Sequence, residues 1–414
     1  MRRLWRRAIA VLGGCLAIIL VAVPTLWWLA NPAVPDAFYV ALDPAPEDPG
    51  RLLRQEPFER NLPAGARAWR ILYTTTRAND APALGSAIVM VARRAGATAR
   101  PVIAWTHGTT GVVPGCAPSL LAEPFANVPA LAALIERDWI YVAADYVGQG
   151  TAGPHPYLIG EDEGRSALDA VRAARQIEGL NAGAATVVWG HSQGGNAALW
   201  TAIVAPSYAP DVPVAGVAAI APATDLPALV EELQHTLTGR IMSAYLLQSY
   251  SQTYVDVDFD AYARGWSGLM ARDMSRRCFA GRAALFSALE AASVRGTIFA
   301  TPPTSGALGA RLVENTPDRT VSQPLLIAQG VIDDLVLPAI QARFVAQRCQ
   351  EGQALEYRRY AGRHHLSVVA PDSPLNEDLV NWTQDRLSGV SPPLGCTDEL
   401  VPEVGTLDRV RSGS

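Results

Sequence analysis

This 414-residue sequence predicts an α/β fold: a mostly parallel central sheet with helices on both faces and one long helical insertion. Three observations carry that expectation. Short apolar runs recur without polar alternation, as in strands buried on both faces. Segments with helical spacing separate these runs, because parallel strands need crossovers. The alternation stops over 226–319, where Leu, Tyr, Trp and Met recur in mainly helical patterns, and then resumes.

The elements follow in chain order. Residues 1–35 carry four arginines and then a nearly unbroken apolar run over 8–30, 23 residues long. That length suits a tilted membrane helix. The positive flank predicts a cytoplasmic start and an exported remainder. The segment reads as a membrane anchor or a signal peptide, and its long core without a clean cleavage site favours the anchor. The "LGGC" ending at Cys15 is a poor lipoprotein box, since most of the apolar run follows the cysteine.

Residues 36–225 make the first part of the core. The Pro-rich, acidic stretch over 36–59 reads as an irregular lead-in. "AWRILYTTTR" and "GSAIVMVARR" are strands joined by the turn-like "ANDAPAL". "PVIAWTHG" is a buried strand, "PALAALIERD" a helix and "WIYVAADY" a second buried strand. "EDEGRSALDAVRAARQIEG" is a helix with an acidic start; Ala167, Leu168, Val171 and Ile177 share one side, and Gly179 stops it. "ATVVWG" is a third buried strand, "GNAALWTAIVA" its following helix and "VAGVAAIAPA" a fourth strand. Residues 226–319 form a lid or cap. Residues 320–400 complete the core with strand "PLLIAQG", helix "LPAIQARFVAQRCQ", strand "ALEYRRYAG" and a last helix near "NEDLVNWTQDRLSG". Residues 401–414 are a tail.

Composition excludes several function classes. The net charge of −5 is spread without a basic stripe, which argues against nucleic acid as a partner. The sequence contains no lysine, which removes a P-loop lysine, a Ser-x-x-Lys pair and a Schiff-base lysine. Its Ala-, Arg-, Gly- and Pro-rich make-up points to a GC-rich bacterial genome. Beyond Cys15 lie Cys116, Cys278, Cys349 and Cys396, an even number that favours two disulfides in an exported chain. The spacing leaves all three pairings open. No Cys-x-x-Cys or His-Glu-x-x-His spacing occurs, so neither a metal site nor any other cofactor is expected.

The chemistry centres on "VVWGHSQGGNAALW". Gly190-His191-Ser192-Gln193-Gly194 follows a strand and opens a helix, the arrangement of a nucleophile elbow. Glycines on either side of Ser192 let strand and helix approach a strained turn, and the helix start aims N–H groups at developing negative charge. A serine needs a base. His107, His155, His191 and His235 precede the last strand or lie in the insertion. His364 and His365 follow it, where the order Ser, Asp, His wants the base, and His365 before "LSVV" is preferred. The acid should follow "PLLIAQG". Gly330-x-x-Asp333-x-x-Val336 selects Asp333, with Asp334 the runner-up and Asp225 a weaker candidate. The oxyanion donors expected are the N–H of Gln193 and that of Thr109 in "WTHGTTG", whose hydroxyl can add a bond. Asp145, in "AADYVGQGTAG", reads as structural.

Taken together, "WRILYTTTR", "AWTHGTTGVVPGCAPS", "AADYVGQGTAGPHPYLIG", "VVWGHSQGGNAALW" and "IAQGVIDDLVLP" resemble the secretory lipase family of α/β-hydrolases, the lipase A type, in a bacterial version. The likeness runs over 38–382, almost all of the exported part. It implies a lipase or esterase with a helical lid, a triad of Ser192, Asp333 and His365, and an ester or lipid substrate. It also implies the pairs Cys116–Cys278 and Cys349–Cys396. An anchor-like start departs from a plain secretion signal. Rival readings are an acyltransferase or peptidase using the same residues, and a non-catalytic binding module on the same fold.

Overall fold

A computed structural model describes residues 30–40, 48–94 and 98–403, together with 5, 25, 27 and 28. Most of the apolar run over 8–30, Cys15 and most of 401–414 lie outside the described residues. Among the described residues no helix is long and apolar enough to cross a membrane.

Ten strands form one sheet in the order β1-β2-β3-β5-β4-β6-β7-β8-β9-β10. The chain runs β1 (Leu52–Phe58), β2 (Ala66–Thr76), β3 (Pro82–Ala92), β4 (Arg100–Thr106), α1 (Leu131–Glu136), β5 (Ile140–Ala144), α2 (Gly160–Ala174), β6 (Ala182–His191), α3 (Gln193–Tyr208) and β7 (Val214–Ile220). Six helices follow: α4 (Leu226–Leu233), α5 (Leu237–Thr253), α6 (Phe259–Tyr262), α7 (Gly265–Met274), α8 (Gly281–Ser293) and α9 (Gly306–Glu314). The core closes with β8 (Leu325–Gly330), α10 (Pro338–Gln350), β9 (Leu355–Tyr360), α11 (Leu375–Leu387) and β10 (Cys396–Val401). Pairing from β5 through β4 and β6 to β10 is parallel, whereas β1, β2 and β3 join antiparallel.

The apolar strands alternate between two cores, as period-2 side chains must. Val102 and Ala104 of β4 and Val188 of β6 face α2, α3 and α10 through Leu168, Val171, Ala198 and Phe344. Ile103, Trp105, Val187 and Trp189 face α1 and α11 through Leu134, Leu379 and Trp382. The inserted helices bury a core of their own around Tyr245, Tyr250, Met274 and Leu308.

Three expectations need correction. The lead-in over 36–59 is not wholly irregular: β1 pairs there with β2. It is an edge strand with exposed Gln55, Glu56 and Pro57, so no apolar run announces it. The helix expected to stop at Gly179 ends at Ala174, although Ile177 remains buried. A strand, β10, follows the last helix. Its exposed "CTDELV" carries no core signal, and it rests on the edge of β9 beside the Cys349–Cys396 disulfide.

Candidate active site

The parallel strands deliver the chemistry to their C-terminal ends, where open α/β sheets bind ligands. Ser192 stands between β6 and α3 with φ 61° and ψ −122°, a conformation L-residues avoid. The neighbours make the turn possible. A Cβ at Gly190 would overlap Gly194 O and the Thr106 hydroxyl, and one at Gly194 would overlap the Thr106 carbonyl. The Thr106 hydroxyl itself links the two sides, at 3.0 Å from Trp189 O and 2.7 Å from Gly194 O. Ser192 N–H donates to Ile220 O of β7 at 2.9 Å.

Asp333 and His365 come together on the loops after β8 and β9. Asp333 Oδ2 lies 2.9 Å from His365 Nδ1 and accepts from Gln329 Nε2 at 3.0 Å. Its Oδ1 accepts from Leu335 N and Val336 N at 2.9 and 2.8 Å. Both side chains are buried, and the Asp333 carboxyl has four hydrogen-bond partners. The His191 ring leans on that of His365 at 4.6 Å, and His191 Nε2 lies 2.9 Å from His365 O. Burial, with His365 alongside, pushes the His191 imidazole well below its ordinary range. His191 is therefore neutral and braces the loop.

The competing candidates fall elsewhere. His364 and Asp334 are exposed on the rim. Asp225 caps α4, accepting from Ala228 N at 3.1 Å. His235 is exposed before α5. Asp145 is fully buried, holding the Ser86 hydroxyl and both the N–H and hydroxyl of Ser119. Its carboxyl is raised by burial against the opposing serine bonds.

Ser192, His365, Thr109 and His107 line one cleft of about 1160 Å³, with walls from 118–127, the start of α5 and the stretch before α8. A smaller apolar hollow of about 70 Å³ opens beside Ser192, Thr109 and Gln193 beneath Leu226, Leu229, Leu233, Met242 and Leu246. Gly108 lets this loop approach the nucleophile: a Cβ there would lie 3.2 Å from His191 O. The Thr109 hydroxyl is not free, since it pairs with Tyr157 OH at 3.0 Å. Cys116 pairs with Cys278, clipping the loop after β4 to the segment between α7 and α8, and Cys349 pairs with Cys396.

Sequence reasoning missed Tyr157 and Glu163 and left His155 as a mere loop residue. Their contacts span tens of residues, so no local spacing announces them, and Glu163 is hidden among the acidic residues that open its helix. Among the described residues no cluster of His, Cys, Asp or Glu could hold a metal ion.

Similar shapes include lipases and esterases. Candida antarctica lipase A in its closed state superposes with a TM-score of 0.71 at 15% identity, covering 90% of each chain. The rice cell wall degrading esterase LipA from Xanthomonas oryzae gives 0.62 at 17%, covering 83% of this chain and 100% of that one. The fold is thus that of the α/β-hydrolases. In sequence, secreted triacylglycerol lipase LIP3 of Malassezia globosa is 27% identical over 364 residues, 82% of this chain and 77% of that one. Lipase A of Arthroderma benhamiae is 23% identical over 385 residues, 86% and 79% of the two chains. Both relatives are fungal, so the bacterial origin expected from composition finds no support in them. The secretory lipase model matches residues 125–395, well over half of the sequence and from the wall of the cleft to the end of the sheet, and the chain belongs to the secretory lipase family.

Proposed function

We propose that this protein is a serine carboxylic-ester hydrolase that works outside the cytoplasm through an acyl-enzyme on Ser192. The observation that carries the reading is the shared cleft: a strained serine at a helix start and a histidine held by a buried carboxylate both line it.

In this reading His365 takes the Ser192 proton on Nε2 as Oγ attacks the ester carbonyl. Asp333 fixes the proton on Nδ1 and stabilises the imidazolium. The N–H groups of Gln193 and Thr109 receive the oxyanion. The tetrahedral species expels the alcohol, which takes the proton from His365. Water then gives a proton to His365 and attacks the acyl carbonyl, releasing the acid and restoring Ser192. This sequence calls for no metal or organic cofactor.

Residues 226–319 act as the lid, and the hollow beneath α4 and α5 takes the acyl chain. Residues 1–35 direct export, as a membrane anchor or as a signal peptide removed on secretion. In support of a lipid surface as the workplace, Trp266, Leu269, Leu285 and Leu289 stand exposed on α7 and α8, and exposed Arg276, Arg282 and Arg295 flank them.

Hydrolysis of p-nitrophenyl esters from acetyl to palmitoyl, with Ser192→Ala beside the wild type, tests the reading. Turnover should fall by at least about a thousandfold in the variant at every chain length. Comparable turnover without Ser192 would refute it, and transfer to an added alcohol in preference to water would make the enzyme an acyltransferase.

A further inference from the structure

The ground behind Ser192 is more polar than a nucleophile elbow requires. The side chain of Gln193, the first residue of α3, is buried. Its Nε2 donates to Glu163 Oε1 at 2.6 Å and lies 3.3 Å from His155 Nε2. His155 Nδ1 lies 3.2 Å from Val147 O, and a carbonyl only accepts, so the ring proton sits on Nδ1. The His155 Nε2 lone pair is then turned to the Gln193 amide. Burial, with His107 nearby, pushes this imidazole down to about 3, so it stays neutral.

Glu163 sits in the first turn of α2 and is fully buried. Its Oε1 also accepts from Leu158 N at 3.2 Å. Glu163 Oε2 and Gln193 Oε1 are buried without a hydrogen-bond partner among the described residues. Burying a carboxyl with half its capacity unused is costly, and an apolar side chain would fill the space more cheaply. The arrangement does one thing an apolar residue cannot: it grips an amide from two sides. Fixing that side chain fixes the helix start whose N–H faces the reacting carbonyl.

We propose that Glu163 and His155 are positioning residues: they hold the Gln193 side chain, and through it the Gln193 N–H that receives the oxyanion. The proposal rests on the ester-hydrolase reading given above. Neither residue touches the reacting atoms.

Charge sets the working range of this grip. Burial holds the Glu163 carboxyl well above the usual carboxylate range; Asp162 adds to the push, and the bonds from Gln193 and Leu158 oppose it. The groups facing it are Asp162 on its own helix, Tyr146 and Tyr157 on the preceding loop, Tyr250 on α5, and the Gln193 amide with His155 beyond it. None of them is a cation, and Arg77 is engaged with Asp162. Once Glu163 ionises as the pH rises, an uncompensated negative charge appears against the helix start where the oxyanion must form. Like charges in a water-poor site repel strongly, so turnover must fall.

The test is the pH profile of kcat and KM on a soluble p-nitrophenyl ester, pH 6 to 10, for wild type, Glu163→Gln, Glu163→Leu and Ser192→Ala. Glu163→Gln keeps an acceptor but cannot ionise. It should hold kcat within about 3-fold at pH 7 and lose the fall in turnover that Glu163 ionisation brings to the wild type as the pH rises. Glu163→Leu removes the acceptor and should lower kcat about 10- to 100-fold with KM little changed, as loss of an oxyanion contact does. Superimposable profiles for wild type and Glu163→Gln overturn the proposal, as does an unchanged kcat in Glu163→Leu. If Glu163→Leu fails to fold, the Glu163→Gln profile decides alone. Activity surviving in Ser192→Ala would instead sink the ester-hydrolase reading beneath it.

Discussion

At the scale of single residues, adjacent Asp333 and Asp334 differ in everything that matters to a histidine. Asp333 spends one oxygen on two backbone N–H groups and the other on Gln329 and His365, whereas Asp334 is exposed. In Asp333→Asn the oxygen keeps the backbone bonds, and the new NH₂ meets the donors of Gln329 and His365. His365 must then move its proton to Nε2, the atom that should accept from Ser192. The expected loss in kcat is roughly 10³- to 10⁴-fold, against less than about 3-fold for Asp334→Asn. Equal losses in ester-hydrolysis kinetics would show that the acid is wrongly assigned. The Gly330-x-x-Asp333 spacing selects the same carboxylate that the fold sets against His365. The Glu163 and Gln193 contact was not legible, because its residues are 30 apart on two helices.

At the scale of elements, the β6-turn-α3 unit combines strain with close approach. Its glycines are required by contact: a Cβ at Gly194 would strike the carbonyls of Thr106 and His107, which are backbone and cannot swing away. Gly179, by contrast, has φ +70° and nothing near its absent Cβ. Thermal unfolding of two alanine variants separates these costs. Gly194→Ala should lose about 3 kcal/mol or more and its activity, whereas Gly179→Ala should lose about 1 kcal/mol of backbone strain and keep turnover. Similar, small losses in both would mean that α3 can shift on the sheet. The elbow was legible because its Gly-x-Ser-x-Gly pattern fits within five residues, although the contacts that demand Gly194 come from Thr106 and His107. The edge strands β1 and β10 were not, because exposed strands on a sheet margin have no apolar signature.

At the scale of the whole molecule, the sheet with its two cores and the insertion with its own meet at the cleft. The insertion has its own buried core, and the loop after β4 is tied to it by Cys116–Cys278 and by Phe279 N donating to Thr110 O at 2.7 Å. The outer face of the insertion presents apolar side chains to solvent: Leu285 and Leu289 are each 67% exposed, one turn apart on α8. If that face meets lipid, the double change Leu285→Ser and Leu289→Ser removes two side chains worth roughly 1.5 kcal/mol each on burial. Hydrolysis of emulsified long-chain ester should then drop at least about 10-fold, and hydrolysis of dissolved acetyl ester should hold steady. Equal rates on the emulsion would show that the face does not dock.

What the sequence determined by itself was whatever is enforced locally. Apolar runs too uniform for a half-exposed sheet demanded two helical layers, and a serine between glycines at a strand end demanded a strained turn. The order of Ser192, Asp333 and His365 followed from the loops after β6, β8 and β9. The tertiary structure decided what depends on long-range meeting. It paired Asp333 with His365, turned the Thr109 hydroxyl to Tyr157, joined Cys116 to Cys278 across 162 residues, and set Glu163 and His155 around Gln193. Hydrophobic periodicity records which face of an element is buried but not which partner it is buried against. A polar contact between distant residues leaves no period in the chain, and appears only when packing closes the distance.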